Sequence, residues 1–521
     1  MASKEVSLPP TVADDSAGHE KAAISESPAE ELYNSEDGEE HEADEKELKR
    51  ILRKIDWAIV PYSALLYLLS FLDRVNIGQA RVAGLEAGLN MSDKEYQIAL
   101  TIFFVSYVAV EIPSNLALKV LRPQYWITGN MILWAVCTVC LGVVKTGPQL
   151  IAVRFLLGLF EGGLFPGLNF IFSLYYTREE LGQRVAIFFA GATLAGAFGG
   201  LLAYGLRQMN GIGGLEGWAW IFIIEGLLTF VCAIPGLWLI QDFPDRAKLF
   251  KGNERLKWQH HLHMSQGVTS AELPFSWSQV TKGLTDWRAY VYAIMYFSIA
   301  MPFYCLSLFL PTIIAGLGYT GPQANALSTP PYVLGFLTTL IVCWASDRYK
   351  RRGYFLVGTM SVCLIGYIIL IAQYKPAVSY FACFLAVGGV SPGIALAITW
   401  VGANWGPVTL RAAVMGLFFS FGNSAGIASS WSYPTRTRPR FFMGHSLALT
   451  FTCLSILCAV IIMIDHKIKN KRKDEQYGPA LLDHNPLKAD QATLRRWGLE
   501  GKTHHEVVSL GHNHPGFRYM I

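Results

Sequence analysis

The chain has 521 residues, of which 52% are hydrophobic and 16% are charged, and its formal net charge at pH 7 is +4. Soluble domains carry about 25% charged residues, so this composition excludes a soluble enzyme, a nucleic-acid-binding protein and a disordered scaffold. We therefore expect a membrane protein that is not an enzyme and that has the lipid bilayer, and no nucleic acid, among its partners.

The first fifty residues differ from the rest of the chain in charge. They contain 15 acidic and 5 basic residues and few apolar ones. Such a segment cannot bury enough apolar surface to offset the entropy lost on ordering. We predict that residues 1–50 form a disordered, acidic, cytoplasmic tail.

Apolar runs of membrane-spanning length recur from Trp57 to Asp465. Lipid cannot satisfy free backbone groups, and no run alternates like a membrane strand, so we predict an all-α membrane protein with twelve transmembrane helices. The predicted limits are 57–79, 95–119, 125–144, 148–176, 184–206, 217–240, 288–316, 322–346, 353–373, 377–404, 409–431 and 442–465.

Lysine and arginine are concentrated in alternate connections between these runs, which indicates the cytoplasmic side of the membrane. The basic connections include Arg50, Arg122, Arg178, Lys350 and Lys471. Both termini are therefore expected to be cytoplasmic. One connection disagrees, because Arg436, Arg438 and Arg440 fall on the predicted outside. The Asn90-Met91-Ser92 sequon also falls outside, so Asn90 is a weak candidate for glycosylation.

The longest interior polar stretch divides the runs into two sets of six, and short motifs recur between the sets at a nearly constant offset. Gly129-Asn130-Met131 matches Gly358-Thr359-Met360, Pro166 matches Pro392, and Arg184 matches Arg411. Two parallel six-helix repeats are typical of secondary transporters that bind substrate near the midplane. We expect an N-terminal half at 51–240, a cytoplasmic linker at 241–287, a C-terminal half at 288–466 and a cytoplasmic tail at 467–521.

Charged residues inside the bilayer are costly, about 2.5–3.5 kcal/mol each, and are functional by default. The candidates in the predicted spans are Asp73, Arg74, Glu111, Arg154, Glu161 and Glu225. At about 1.5 Å per residue, Arg74 lies about 24 Å from the cytoplasmic end, whereas Arg154 and Glu161 lie about 8 and 18 Å from the outer end. This estimate places both arginines at one level and Glu161 near the midplane.

The chemistry of these groups suggests their roles. A guanidinium is permanently charged and forked, which suits a carboxylate, so we expect Arg74 and Arg154 to bind substrate. Glu161 can bind and release a coupling proton. Alternatively, Arg154 and Glu161 only pair with each other. Asp73 is a second proton-coupling candidate that could simply orient Arg74.

The remaining candidates are expected at a gate or on the opposite wall of the cavity. Glu111 lies toward the predicted cytoplasmic end of its span, where a gating or packing network is expected, and Glu225 has no assigned role. By repeat symmetry the seventh and tenth spans should line the cavity with uncharged groups. These are Tyr292, Tyr296, Tyr304, Trp400 and Asn404, for which membrane-interface belts are the alternative.

Several motifs resemble the anion:cation symporter branch of the major facilitator superfamily. They are Leu72-Asp73-Arg74-Val75-Asn76-Ile77-Gly78, the stretch from Phe103 to Asn115, the stretch from Arg154 to Gly167, Gly422-Asn423, and Pro515-Gly516-Phe517-Arg518-Tyr519. The resemblance is greatest to fungal permeases for nicotinate, pantothenate, biotin and allantoate. It implies anion binding at Arg74, proton coupling at Glu161, and a contribution of Asn423 to the substrate site.

The resemblance also covers a loop motif of the superfamily. Asp347, Arg348 and Arg351 keep a recognisable version of it, which implies a gating role, whereas the corresponding loop after the second span is degraded. We therefore expect a monomeric carrier at a fungal plasma membrane that imports a small organic anion with a proton. It would need no metal and no cofactor beyond the proton gradient. The alternatives are an exporter of a secondary-metabolite acid and a transporter-like nutrient sensor.

Overall fold

The computed structural model describes residues 38–244, 246–266, 277–372, 375–406, 408–478, 491–499, 510 and 513–521. The chain divides into two units, residues 1–49 and 50–521. Most of the predicted disordered tail, residues 1–37, lies outside the described residues. Residues 38–50 are helical rather than disordered, because this stretch is rich in Glu and Lys, which are strong helix formers.

Twelve long helices form the bundle. They are α1 (Gly38–Val82), α2 (Asp93–Val120), α3 (Pro123–Leu141), α4 (Gly147–Tyr175), α5 (Arg178–Leu206), α6 (Gly217–Leu239), α7 (Trp287–Gly316), α8 (Gly321–Tyr349), α9 (Arg352–Ala372), α10 (Pro376–Asn404), α11 (Val408–Ser430) and α12 (Phe442–Tyr477). Among the described residues, α1 and α3 through α12 are each long and apolar enough to cross a membrane. The fold is the predicted one, two parallel six-helix repeats.

Local sequence signals fix several helix ends. Ser92 and Glu95 form a capping box at the start of α2, and Thr177 and Glu180 form another before α5. Proline at the first turn begins α3, α4 and α10, where its missing N–H costs nothing.

The two halves meet through α2 with α11 and α5 with α8. Small residues permit the second contact. A Cβ at Gly196 would lie 2.8 Å from the Tyr332 ring, and one at Gly200 would lie 2.6 Å from the Asn325 carbonyl oxygen. The glycines of the fifth span therefore bring the two halves into close contact.

Several hydrogen bonds between the halves cluster at one face of the bundle. We call the end where α7 begins and α12 ends the terminal face, and the other end the opposite face. At the opposite face Asp93 accepts hydrogen bonds from the Thr435 hydroxyl (2.8 Å) and backbone N–H (3.0 Å), and Arg81 donates to the same hydroxyl (2.8 Å). Nearby, Trp431 donates to Thr101 at 2.9 Å. These contacts hold the opposite face closed.

The segment between the halves is folded against them. It contains two helices, Glu254–Gln266 and Trp277–Thr285, while residues 245 and 267–276 lie outside the described part. Trp258 is 1% exposed and donates to the Tyr175 carbonyl at 3.1 Å, and Glu254 pairs with Lys54 at 2.6 Å. The first of these helices is therefore attached to the N-terminal half.

Candidate substrate-binding site

A small cavity of about 10 Å³ lies between the two halves. Its lining residues are Tyr67, Phe71, Arg74, Tyr107, Phe165 and Phe189 from the N-terminal half, and Tyr296, Ala300, Phe303, Tyr304, Ile394 and Asn423 from the C-terminal half. Ligand pockets measure roughly 300–1,000 Å³, so side chains nearly fill this space in the present conformation. The lining combines one cation with many aromatic rings.

Arg74 on α1 is bonded to Glu161 on α4 inside this region. Its Nε and Nη2 donate to one carboxylate oxygen of Glu161 at 3.1 and 2.6 Å, and Ser70 donates to the same oxygen at 2.7 Å. Arg74 is 3% exposed and Glu161 is 0% exposed. The other oxygen of Glu161 has no hydrogen-bond partner among the described residues. The carboxylate is therefore strongly held at one oxygen and unpaired at the other.

Aromatic rings surround the Arg74 guanidinium. Its central carbon lies 4.7 Å from the ring centre of Tyr107, 5.5 Å from that of Phe103 and 5.7 Å from that of Phe71. Cation–π attraction is strongest where water is excluded. The rings therefore stabilise this cation in a site that excludes water.

A polar network joins the halves beside the cavity. Tyr304 donates to the Asn423 side-chain oxygen at 3.0 Å, and the Asn423 amide donates to Glu111 at 3.1 Å. Tyr296 stacks on Phe418 with ring centres 4.1 Å apart. Glu111, Asn423 and Tyr296 thus all lie at or next to the boundary between the halves.

Asp73 and Arg154 lie apart from the Arg74–Glu161 pair. Asp73 accepts hydrogen bonds from Trp134 (2.9 Å) and Thr229 (3.0 Å), so the expectation that it orients its neighbour Arg74 is wrong. Arg154 is buried, and its Nε and Nη2 have no hydrogen-bond partner in the described part of the chain. Glu161 is hydrogen-bonded to Arg74, so the alternative of a simple Arg154–Glu161 pair is also wrong.

The depth estimate was wrong for Arg74, because it separated this residue from Glu161 by a wide margin. The estimate assumed straight helices normal to the membrane and a first span that begins near Ala58. Tilt and the length of an arginine side chain account for a difference of this size.

Tyr292 and Asn404 lie outside the cavity. They are hydrogen-bonded to each other at 3.4 Å, and Asn404 also contacts the backbone of Met520 near the end of the chain. Tyr292 lies one helical turn before Tyr296, toward the terminal face. Tyr296 therefore lines the cavity, whereas Tyr292 contacts Asn404 outside it. Trp400 also contacts Met520, through its Nε1. Repeat symmetry identified the right helices but the wrong level on them.

The candidate gate loop is organised around a different arginine from those predicted. Asp347 pairs with Arg352 at 3.0 Å, and Arg352 also donates to the Thr399 carbonyl. Arg348 and Arg351 are exposed, with Arg351 5.9 Å from the Tyr354 ring centre.

Asn90, the candidate for glycosylation, is exposed in a left-handed turn with φ of 50°.

Sequence reasoning missed the groups that complete the site. Ser70, which donates to Glu161, lies four residues before Arg74 and therefore on the same face of α1. Tyr67, Phe71 and Tyr107 line the cavity. The spacing of Tyr67, Ser70 and Arg74 is the signal that could have found the α1 residues, because the three share one helical stripe.

Comparisons with known proteins give the family context of this site. A family profile described as Major Facilitator Superfamily matches residues 63–430. An uncharacterized transporter of Schizosaccharomyces pombe is 35% identical over 82% of this chain and 85% of its own length. A high-affinity nicotinic acid transporter of Saccharomyces cerevisiae is 30% identical over 82% of this chain and 79% of its own length.

A solved structure shares the fold. It is a bacterial homologue of the human lysosomal transporter Spinster, in an inward-facing and occupied conformation. The TM-score is 0.58 at 14% sequence identity, and the match covers 78% of this chain and 96% of that one. At this identity the likeness extends to the fold alone.

Proposed function

The chain belongs to the Major Facilitator Superfamily and is a multi-pass membrane transporter rather than an enzyme, and we propose that it imports a small organic anion of the nicotinate type together with a proton. The observation that carries this proposal is the buried pair of Arg74 and Glu161 beside the central cavity. A permanent cation that faces a cavity is a binding group for an anion.

The pair can exchange partners. In the empty carrier Glu161 neutralises Arg74. When Glu161 takes up a proton it becomes a weaker acceptor for Arg74, and the guanidinium is then free to bind a substrate carboxylate. Ser70 can rotate its hydroxyl to remain hydrogen-bonded to either form of Glu161.

Charge balance makes the two events interdependent. An anion without a proton would leave two carboxylates and one guanidinium in a site with little water, which is costly. A proton without an anion would leave Arg74 unpaired. Only the empty carrier and the doubly loaded carrier are neutral, so only these two states should change readily between the open conformations.

The composition of the cavity lining favours a planar substrate. Its many aromatic rings can stack against a heterocycle. The relative from Saccharomyces cerevisiae that is named as a high-affinity nicotinic acid transporter supports a pyridine carboxylate. We therefore select nicotinate as the first substrate to test.

The remaining parts of the proposal concern placement. We propose a plasma-membrane monomer with both termini cytoplasmic, halves at 51–240 and 288–466, and the proton gradient as the only driving force. Asp73 serves as a second proton site, and Glu111, Asp347, Arg348 and Arg351 contribute to gating. The basic connections on the terminal face support this orientation.

The proposal is tested by uptake of labelled nicotinate into proteoliposomes, with pantothenate, biotin and allantoate as competitors. We expect uptake that rises when the outside is more acidic than the inside, and competition that is strongest with small planar acids. Arg74→Lys should abolish uptake, whereas Arg436→Lys, which changes an exposed arginine, should not. Uptake at a rate that does not depend on the pH difference across the membrane would refute proton coupling. A deletion strain that accumulates an acid would indicate export.

A further inference from the structure

Residues 513–521, here called the tail segment, lie against the terminal-face ends of three helices of the C-terminal half. Their partners are on α7, α10 and α12. None of these contacts belongs to the substrate cavity.

The backbone of Met520 is bound on both sides. Its carbonyl accepts hydrogen bonds from Trp400 Nε1 at 2.8 Å and from the Asn404 amide at 3.0 Å, and its N–H donates to the Asn404 side-chain oxygen at 2.7 Å. The same carbonyl lies 3.2 Å from His466 Nδ1. Asn404 therefore pairs with both backbone groups of Met520, as a side chain in a peptide-binding site pairs with the backbone of a bound peptide.

Tyr519 is held by its backbone, its ring and its hydroxyl. Asn470 exchanges two hydrogen bonds of 2.8 Å with its backbone N–H and carbonyl. The ring stacks on His466 with centres 4.7 Å apart, and the hydroxyl accepts from Arg288 at 2.9 Å. Tyr519 is 6% exposed, so the site surrounds it almost completely.

Charged groups complete the site. Lys473 donates to the carbonyls of His514 and Phe517 at 3.0 and 3.2 Å, and Arg518 donates to Asp474 at 2.8 Å. Asp286 pairs with Arg288. Burial acts against the ionisation of Asp286, but the hydrogen bonds from Arg288 outweigh burial and lower the pKa of Asp286 below its ordinary value. Asp286 therefore stays charged and keeps Arg288 in place.

Two of the three helices that meet the tail segment are interrupted by proline. Pro302 and Pro311 lie inside α7, and Pro392 lies inside α10. Each removes a backbone hydrogen bond and gives its helix a place to bend. Contacts between helices at the terminal face, such as the one between Tyr292 and Asn404, can therefore limit bending at these prolines.

We propose that the tail segment is an intramolecular peptide ligand whose binding site is formed by the terminal-face ends of α7, α10 and α12, and that its binding makes these three ends move as one body during transport. Loss of the segment should leave the substrate cavity intact but let the end of α10 move independently of α12. Transport should then slow while anion affinity is retained. The inference does not depend on which solute is carried.

The test uses the full chain with a protease site inserted within residues 500–509, so that the tail segment is cut after folding. The cut segment should remain bound through purification and should be displaced by excess synthetic peptide of residues 513–521. A fluorescent form of this peptide should bind the cut, washed carrier, and a Tyr519→Phe peptide should bind about tenfold more weakly, as expected for one lost charged hydrogen bond. Washing the segment away should lower the melting temperature and the rate of uptake, and peptide should restore both.

A pair of lysines on α12 provides a matched control. Lys473→Met removes two hydrogen bonds to the tail segment, whereas Lys471→Met changes a side chain that is 80% exposed. Only Lys473→Met should weaken peptide binding and slow uptake, while nicotinate affinity stays the same in both variants. The inference is overturned if the labelled peptide binds no better than a scrambled one, or if the cut and washed carrier melts and transports like the intact protein. Failure of the anion proposal would appear instead as absent nicotinate uptake with normal peptide binding.

Discussion

The Arg74 guanidinium and the Glu161 carboxylate, on two different helices of the N-terminal half, share two hydrogen bonds of 3.1 and 2.6 Å on a single oxygen. A bidentate pair would use both oxygens. The one-sided geometry leaves the second oxygen of Glu161 without a partner among the described residues. This oxygen is where a proton can add without first breaking the contact to Arg74.

Replacing Arg74 with lysine should abolish nicotinate uptake even though the positive charge is kept. Lysine is a point charge without the planar fork, and it cannot donate to Glu161 and to a substrate carboxylate in the same geometry. A charged hydrogen bond contributes about 1.5–3 kcal/mol, so affinity should fall by roughly tenfold to a hundredfold. Equilibrium binding of labelled nicotinate to purified protein measures this, and Arg436→Lys is the control. Unchanged affinity in the Arg74 variant would contradict the assignment.

Replacing Glu161 with glutamine should separate anion transport from the pH difference. Glutamine cannot gain or lose a proton, so exchange of internal for external nicotinate should persist while accumulation driven by acid outside is lost. Each pH unit supplies about 1.4 kcal/mol, or tenfold accumulation, to the normal carrier. Counterflow and net uptake are measured on the same vesicles, with Glu475→Gln as an exposed control. Gradient-driven accumulation by the Glu161 variant would show that the coupling group is elsewhere.

Adding a methyl group at Gly158 should destabilise the N-terminal half. Its Cβ would lie 2.2 Å from the Ser106 hydroxyl oxygen and 2.3 Å from the Phe103 carbonyl oxygen, so α2 and α4 must move apart. Overpacking of this kind costs about 1–3 kcal/mol. Gly129 on α3 has open space at the same position and is the matched control. Melting in detergent should show a loss for Gly158→Ala and none for Gly129→Ala, and equal melting of the two variants would refute the close packing.

Removing the hydroxyl of Thr435 should open the opposite face more often. The hydroxyl accepts from Arg81 and donates to Asp93, so Thr435→Val leaves two charged groups without one partner each. Reaction of a cysteine placed at Ala99 with a membrane-impermeant thiol reagent measures this opening. The reaction should be faster in the Thr435 variant than in Thr450→Val, which changes an exposed threonine on α12. Equal rates would mean that this cluster does not hold the face closed.

The sequence predicted the fold well because hydropathy and helix length decide it. All twelve helices were anticipated, and their ends agree within a few residues for α2, α3, α4 and α6 through α11. The largest differences are at the start of α1 and the end of α12, where the helices continue as polar segments beyond the apolar run. Hydropathy predicts where a span leaves the lipid, but it does not predict where the helix itself ends.

The candidate site was predicted in part. The cost of a buried charge selected Arg74, Glu161 and Glu111, and the structure brings the first two into contact. The cost of a buried charge could not predict that Asp73 bonds Trp134 and Thr229. That cost indicates which residues are buried, but it does not indicate which neighbours their side chains face. Tyr292 and Asn404 were assigned to the cavity because of the symmetry between the two repeats. That symmetry could not predict the contact between Asn404 and the tail segment, because the tail segment lies outside the repeated unit.

The most direct test of the central claim is simultaneous recording of proton entry and labelled nicotinate entry into proteoliposomes that contain the unmodified protein. Because the loaded carrier is proposed to be neutral, protons and anions should enter in equal numbers, and the rate should follow the pH difference but not the membrane potential. Nicotinate entry without protons, or a rate governed by membrane potential alone, would contradict the proposed exchange between Arg74, Glu161 and the anion.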